Sequence, residues 1–232
     1  MQSLQIYNYR KLAMAAYAEP VTDQHAPAPQ PPTLRDRKRA RVRQALVDAA
    51  TGLFARDGYE QTTIADITAA AEVGARTFFN YFASKEDLLF PESDERVQAT
   101  LDAIATRGPD EGPAEVLLRA LRGVGAVSDE MASPQAALRL KLVRTVPAVR
   151  GRALQIQLDA QREIAHHLAA AYPDALDEVT AAAVTGAFIG AITAALQVLL
   201  EDSDRPDDPA EFHRVLAEAT DLALAPWMAK RG

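Results

Sequence analysis

Two polar residues four positions apart, Arg76 and Asn80, carry side chains that can recognise the edges of nucleic-acid bases. A guanidinium can donate two hydrogen bonds to guanine, and a side-chain amide can pair both ways with adenine. On a helix that turns 100° per residue, these two residues fall on the side opposite Phe78 and Phe82, with Thr77 on the flank. The spacing therefore predicts a short helix that is anchored by two aromatic rings and presents base-reading groups outward.

The residues before this helix predict the elements that position it. Ile64 and Ile67 put apolar groups on one face of a short preceding helix, and Thr63 is its expected N-cap. Residues 72–74 form a turn that is too short for anything but a steep crossing of the two helices. An earlier helix, from about residue 37 to 57, carries apolar side chains at helical spacing and forms the scaffold. The sequence thus predicts a helix-turn-helix.

Residues from about 40 to 89 resemble the DNA-binding domain of TetR-family transcriptional regulators. The matching pieces, in order, are ALVDAATGLFARDGYEQTT, IADITAAAEV and RTFFNYFASKEDLL. An ordered set of three pieces is far more specific than a single helix-turn-helix match. The resemblance implies base reading by Arg76, Asn80 and Thr77. We expect a second set of residues to contact the DNA backbone: Thr63, Phe79, Tyr81 and Lys85.

Three positions depart from the pattern of that family. Glu72 stands where the family usually has glycine, and in a left-handed conformation it would cost about 1 kcal/mol. Gly74 replaces a Ser or Thr N-cap, which costs only a few tenths of a kcal/mol. Phe79 replaces a tyrosine whose hydroxyl meets a phosphate, so here that hydrogen bond is absent. These changes affect contact geometry and leave the predicted fold in place.

The charge distribution is uneven along the chain. The net charge is −7, but residues 1–90 carry 11 basic and 10 acidic side chains, whereas residues 91–232 carry 14 and 22. A local basic edge, not the charge of the whole chain, meets phosphate. One dense basic run, RDRKRARVR, precedes the motif. Five of its side chains are predicted to contact the DNA backbone: Arg37, Lys38, Arg39, Arg41 and Arg43. The alternative is a solvated, charged start of a helix.

Composition predicts an all-α chain of three parts. Alanine is abundant, β-branched alternation is rare, and glycine and proline lie mostly at segment ends. Residues 1–34 are proline-rich and predict a disordered N-terminal extension, for which an over-long start with Met14 as the initiator is an alternative. Residues 35–90 form the predicted helix-turn-helix domain of three helices, and residues 91–232 a larger helical domain for ligand binding and dimerisation.

The composition also predicts a cytoplasmic protein. The chain has no cysteine, which excludes disulfides and fits a reducing compartment. We find no apolar run near the ~20 residues that a membrane helix needs, and the first twenty residues do not resemble a signal peptide. No membrane partner is therefore expected.

The second half is predicted to consist of helices separated by glycine and proline. Their expected spans are about 114–127, 134–146, 148–171, 177–200 and 210–224. The span 177–200 is the most apolar, with Gly186 and Gly190 four residues apart. Family resemblance places a homodimer interface on the last two helices, and we expect it to include Gly186, Gly190, Phe212 and Leu216. The alternative is a buried helix in a monomeric bundle.

No metal site, cofactor or catalytic set is predicted. His166 and His167 are adjacent and point about 100° apart on a helix, so they cannot chelate one metal together. No glycine-rich phosphate loop and no nucleophile elbow is present. A basic stretch surrounds Pro147 and comprises Arg139, Lys141, Arg144, Arg150 and Arg152. We interpret it as a solvated helix edge, with an anionic ligand or DNA phosphate as the alternative, and assign no polar group to a ligand pocket.

Together these features predict a homodimeric transcriptional repressor that binds a double-stranded DNA operator and is released by an unidentified small molecule. Two alternatives remain open at this point. One is an all-α enzyme or small-molecule carrier with an incidental helix-turn-helix, although an enzyme would be expected to show clustered titratable groups in its bundle. The other is a DNA-binding activator that responds to no ligand.

Overall fold

The computed structural model describes residues 33–91, 93–125, 133–201 and 209–228, and within them it contains nine α-helices, one 3-10 helix and no strand. The helices are α1 (Leu34–Asp57), α2 (Ile64–Ala70), α3 (Ala75–Phe79), the 3-10 helix (Glu86–Leu89), α4 (Ser93–Ala105), α5 (Pro113–Gly125), α6 (Pro134–Thr145), α7 (Pro147–Ala171), α8 (Glu178–Glu201) and α9 (Pro209–Met228). The predicted all-α class is confirmed. Most of the predicted N-terminal extension and the acidic linker before α9 lie outside the described residues.

Contacts group residues 1–39 and 40–232 into two compact units. Of the first unit, residues 33–39 are described, and they form the first turns of α1. The backbone N–H of Asp36 donates to Thr33 Oγ1 over 3.2 Å, and the Asp36 carboxylate accepts from the Thr33 N–H and hydroxyl. These hydrogen bonds lower the pKa of Asp36. The domain boundaries predicted at residues 34 and 90 stay predictions.

The start of α2 is fixed by a capping box. Thr63 Oγ1 accepts from the Asp66 N–H over 3.2 Å, and the Asp66 carboxylate accepts from the Thr63 N–H over 2.9 Å. The side-chain and backbone hydrogen bonds from Thr63 also lower the pKa of Asp66. Two N–H groups of the first turn thereby gain partners, which confirms Thr63 as the N-cap.

The turn between α2 and α3 is closed by a residue in the left-handed region. Glu72 has φ 55°, its N–H donates to the Ala69 carbonyl, and the next N–H, of Val73, donates to the Thr68 carbonyl over 2.9 Å. This pair of bonds is a Schellman motif, in which glycine usually occupies the left-handed position. Gly74 is the N-cap of α3 and supplies no side-chain hydrogen bond. The structure thus shows Glu72 in the left-handed conformation and α3 without a side-chain N-cap, in line with the two departures from the family pattern at this turn.

One apolar core joins the helix-turn-helix to the helices that follow it. Phe54, Tyr59, Ile67, Phe78 and Phe82 are buried in it. Three residues from the corner between α6 and α7 complete the same core: Leu142, Val146 and Val149. Within residues 40–232 the helix-turn-helix is thus seated directly on this corner.

A second core lies among α4, α5, α7, α8 and α9. Leu117, Leu118 and Leu121 of α5 point into it, as their spacing predicted, and so do Phe188 of α8 and Phe212 of α9. The successive helices α6 and α7 both begin with proline: α6 at Pro134, after the N-cap Ser133, and α7 at Pro147. Proline suits the first turn of a helix because it has no N–H to leave unpaired there.

Candidate nucleic-acid interface and ligand cavity

The third helix is shorter than predicted but keeps the predicted faces. It ends at Phe79, and Asn80, its C-cap, still has right-handed helical dihedral angles (φ −78°, ψ −15°). The Phe82 N–H donates to the Phe78 carbonyl over 3.0 Å, so the helical path continues as far as Phe82. The angular relationship between residues 76 and 82 therefore holds although the helix has only five residues.

Two aromatic rings anchor this segment. Phe78 is fully buried, Phe82 is nearly so, and their ring centres lie 5.9 Å apart. Arg76 and Asn80 are exposed, and Thr77 is half-buried. The neighbouring Phe79 is 59% exposed, and its ring meets that of Phe78 edge-on at 5.1 Å. The two base-reading candidates are thus presented together on the solvent side, while contact with bases stays a prediction.

The structure corrects the environment of Lys85. Its ammonium donates to the carbonyls of Tyr59 over 2.8 Å and Thr62 over 2.9 Å, and lies 4.0 Å from the centre of the Tyr59 ring. Two of its three N–H groups are therefore used inside the protein. Lys85 fastens the start of the 3-10 helix to the loop between α1 and α2, and a phosphate contact would have to use the remaining N–H.

The Tyr59 side chain adds a second fastening in the same place. Its hydroxyl donates to Glu86 Oε1 over 2.5 Å. Burial, followed by the hydrogen bond to Glu86, raises the pKa of Tyr59, so its hydroxyl remains a donor at neutral pH. The same bond lowers the pKa of Glu86 and, with other hydrogen bonds, outweighs the effect of burial on that carboxyl.

The other candidates for backbone contacts divide by exposure. Arg37, Lys38, Arg39 and Arg41 are exposed on α1. Arg43 differs, because its guanidinium donates to the Pro91 carbonyl and lies 5.2 Å from the centre of the Phe82 ring.

The remaining two candidates for backbone contacts lie within the motif. Tyr81 is half-buried against the core, and the Thr63 hydroxyl is committed to the capping box. The roles of Lys85 and Arg43 could not be predicted from the sequence, since a flexible cation can reach a carbonyl as easily as a phosphate.

The prediction of a dimer interface was wrong for two of its four residues. Phe212 is fully buried and Leu216 is 2% exposed, both in the core of their own chain, so they cannot lie on a dimer surface. The inward face of α9 repeats every four residues through Phe212, Leu216, Thr220 and Leu224, whereas Leu222 is 79% exposed. Apolar periodicity indicates that a face is buried, but not whether the same chain or a partner buries it.

The glycines on α8 remain candidates for an interface. Gly190 is exposed, Gly186 is half-buried, and a Cβ added to either would meet no atom within 4 Å. Val179 and Val198, on the same helix, are 78% and 68% exposed. The helix therefore has an apolar surface that its own chain leaves uncovered.

The expectation of no membrane-length apolar run was wrong. Residues Glu178–Leu200 form one helix whose length and mean hydropathy of 1.9 would suffice to cross a membrane, and little of it is buried within the chain. The helix also contains alanine, glycine and threonine, but these residues do not lower its mean hydropathy below that of a possible membrane span. A partner surface would cover such a helix equally well.

A cavity of about 660 Å³ lies among α4, α6, α7 and α8, with one residue of α5 in its wall. This volume is within the usual range for small-molecule sites. Its wall is largely apolar and includes Leu121, Leu140, Ile164, Phe188 and Ile192.

Three residues of the basic stretch also line this cavity, namely Arg139, Arg144 and Arg150. Arg144 and Arg150 are exposed, as expected of a solvated helix edge, and they border the cavity as well, whereas Arg139 is half-buried. The signal in the sequence was the concentration of arginine in an otherwise acidic half.

A fourth residue of that stretch connects to the helix-turn-helix. Arg152 Nε lies 2.6 Å from Asp87 Oδ1, and the other oxygen of Asp87 accepts from the N–H groups of Ala83 and Ser84. Arg139 donates to the Leu89 carbonyl over 3.5 Å. The wall of the cavity is thus hydrogen-bonded to the segment that follows the third helix.

An exposed Arg and Asn on a short helix, held from behind by two buried rings and preceded by a capped helix and a tight turn, define a helix-turn-helix DNA-binding protein. Two family models agree. Bacterial regulatory proteins of the tetR family match residues 46–90, and the MftR C-terminal domain matches residues 111–227. Together they account for more than half of the chain, which belongs to the TetR family of DNA-binding transcriptional regulators.

Curated relatives carry the same description. The HTH-type transcriptional regulator TcmR of Streptomyces glaucescens is 38% identical over 136 residues, which are 58% of this chain and 60% of TcmR. The HTH-type transcriptional repressor DhaR of Mycobacterium sp. (strain GP1) is 50% identical over 48 residues, 21% of this chain and 24% of DhaR. The chain thus spans less than two thirds of these relatives. They are transcriptional regulators and not enzymes.

Solved structures agree with the fold. A putative TetR-family transcriptional regulator from Syntrophomonas wolfei has a TM-score of 0.56 at 21% identity, and the match covers 80% of this chain and 96% of that one. FadR of Thermus thermophilus, a TetR-family repressor solved in complex with lauroyl-CoA, has a TM-score of 0.51 at 18% identity and covers 82% and 95%. At these identities the likeness shows the fold alone.

Within the described residues no group of three or more His, Asp or Glu side chains is placed to hold a metal ion.

Regulators of this family bind operators and small molecules, usually as dimers.

Proposed function

We propose that this regulator is a cytoplasmic homodimeric repressor, which a small molecule bound in the cavity releases from a palindromic operator. The observation that carries the proposal is the double role of the corner between α6 and α7. Arg139, Val143 and Arg144 face the cavity, while Leu142 and Val146 face the core of the helix-turn-helix. A ligand that displaces this corner therefore also displaces the surface against which the DNA-binding helices pack.

Release requires that the ligand favour a state whose two recognition helices no longer match the spacing of the major groove. In a two-fold dimer these helices must sit about one helical turn, or a multiple of it, apart. The operator should accordingly be a pseudo-palindrome, and a small displacement in each protomer changes the separation between both helices.

The uncovered surface of α8 supports the homodimer. Val179, Gly190 and Val198 are exposed on it, and Leu222 is exposed on α9. Apolar surface of this kind is usual in obligate homodimer interfaces, which are more hydrophobic than transient ones. A second copy of the chain would bury it without any membrane.

The dimer is tested by sedimentation at micromolar concentration. Gly190→Trp should give a monomer that no longer binds the operator, because the larger side chain blocks close approach of two α8 helices. Gly52→Trp is the matched control, since Gly52 is also exposed, lies in a helix and has no atom within 4 Å of an added Cβ. A wild-type chain that sediments as a monomer would remove the basis for both the dimer and the palindrome.

The ligand-released repressor is tested with the DNA upstream of the gene, by fluorescence anisotropy against a panel of small apolar molecules. At least one molecule should lower operator affinity, and Ala160→Trp, which fills the cavity, should abolish that response while operator binding persists. Ala170→Trp, at an exposed position of the same helix that does not line the cavity, should respond like the wild type. If Ala160→Trp melts normally yet still responds, the cavity is not the ligand site.

A further inference from the structure

We infer that the cavity takes an amphipathic anion, a molecule with an apolar body and one carboxylate or phosphate end. The inference rests on the proposed function only in taking this cavity as the ligand site. It follows from the charge of the wall, which is unlike that of the surrounding sequence.

The wall carries four positive side chains: Arg96, Arg139, Arg144 and Arg150. Among the lining residues that the structure describes there is no Asp or Glu. This is the reverse of the trend in residues 91–232, where acidic side chains exceed basic ones by 22 to 14. A concave wall of one charge sign raises the local concentration of ions of the opposite sign.

Most of the remaining wall is aliphatic or aromatic. Leu121, Ile164 and Phe188 are buried and belong to the core of the second half, so this part of the wall is fixed by packing. An apolar ligand body placed against it would lose water from the part of its surface that contacts the wall. Each methylene that it buries should tighten binding about fourfold, until the cavity is full.

Two of the arginines are already held in place by the backbone. Arg150 Nε donates to the Val143 carbonyl over 3.1 Å, and its terminal nitrogen donates to the Arg144 carbonyl. Arg139 donates to the Leu89 carbonyl. A guanidinium pairs with a carboxylate or a phosphate through two parallel hydrogen bonds between opposite charges, so an anionic end can compete with neutral carbonyls for these groups. Such competition would loosen the hydrogen bond between α6 and the helix-turn-helix segment that ends at Leu89.

The test uses the full-length protein and four probes with the same ten-carbon chain: decanoate, decyl phosphate, decanol and decylamine. Binding is measured by titration calorimetry without DNA. The two anions should bind at least about tenfold more tightly than decanol, as hydrogen bonds to a charged group predict, and decylamine should bind most weakly. A preference between decanoate and decyl phosphate would identify the head group. Equal binding of decanol and decanoate, or tighter binding of decylamine, would overturn the inference.

Arginine variants locate the effect. Arg144→Gln with Arg150→Gln should reduce the preference for decanoate over decanol to a few-fold. Lys141→Gln is the matched control, because Lys141 is an exposed cation of α6, the helix of Arg144, and does not line the cavity. Arg139→Gln provides a single change at a half-buried position, and thermal unfolding shows whether each variant folds. An unchanged preference in folded Arg variants would contradict an arginine-bound anion.

The two proposals fail separately. If a neutral molecule fills the cavity and releases the operator, the ligand class is wrong but ligand-released repression stands. If decanoate binds through the arginines and operator affinity is unchanged, the ligand class stands and the proposed release fails.

Discussion

Arg152 and Asp87, sixty-five positions apart in the sequence, form an ion pair with 2.6 Å between Nε and Oδ1. Arg152 lies on α7 and Asp87 in the 3-10 helix that follows the third helix of the DNA-binding motif. The Asp87 carboxylate also accepts hydrogen bonds from the N–H groups of Ala83 and Ser84, each over 3.0 Å. One carboxylate therefore holds the exit of the motif in shape and attaches it to the helix that lines the cavity.

A double-mutant cycle with Arg152→Gln and Asp87→Asn should give a coupling free energy of about 1 kcal/mol in unfolding, because the pair is largely shielded from solvent on the Asp87 side. Urea unfolding of the four proteins measures it. The exposed pair Arg162 and Asp159, 3.7 Å apart on the same helix, is the control and should give a value near zero. Equal coupling in the two cycles would mean that Arg152 and Asp87 do not restrain the motif.

Arg76→Ala should weaken binding to the true operator by about 1–3 kcal/mol and relax the preference at one base pair per half-site. The reason is that Arg76 shares the exposed face opposite Phe78 and Phe82, where a base edge is in reach. Anisotropy titrations against single-base operator variants measure the change, with Arg122→Ala as an exposed control on α5. Uniform weakening on every sequence would show that Arg76 contacts the backbone instead.

Lys85→Ala should lower the free energy of unfolding by about 1–3 kcal/mol, since the carbonyls of Tyr59 and Thr62 lose a charged donor. Lys38→Ala, at an exposed position of α1, should leave unfolding unchanged and reduce the salt dependence of DNA binding by about one phosphate contact. Urea unfolding and salt titrations separate the two effects. A Lys85→Ala protein of unchanged stability would return Lys85 to the class of pure phosphate contacts.

Glu72→Gly should raise the free energy of unfolding by about 1 kcal/mol, because glycine adopts φ 55° without a Cβ clash. Its neighbour supplies the control. Ala71 has φ −84°, so Ala71→Gly should instead destabilise the protein by about 0.5–1 kcal/mol. Opposite signs at adjacent positions can be read directly from two urea curves, and a loss of stability in both would mean that Glu72 makes a favourable contact that outweighs its backbone strain.

The local features of the motif were predictable from the sequence because short-range rules determine them. The helical angle placed Phe78 and Phe82 inside and Arg76 outside, and the family pattern placed Glu72 in the left-handed region. Lys85 could not be placed in this way, since its partners at Tyr59 and Thr62 are brought near by folding. The same limit applies to the cavity, whose arginines come from separate helices and meet only in the folded chain.

The break between α6 and α7 limits how the corner between them can move. Val146 joins the two helices with extended dihedral angles (φ −113°, ψ 111°), and the next residue is Pro147. A residue before proline is disfavoured in the helical region, and proline has no N–H to donate, so one continuous helix through this point is disfavoured. Val146 is the one residue between α6 and α7, so its two backbone torsions set the angle between the two helices. Val146 is also packed in the core of the DNA-binding motif. The residue that sets the angle between α6 and α7 therefore belongs to the same core as the DNA-binding helices.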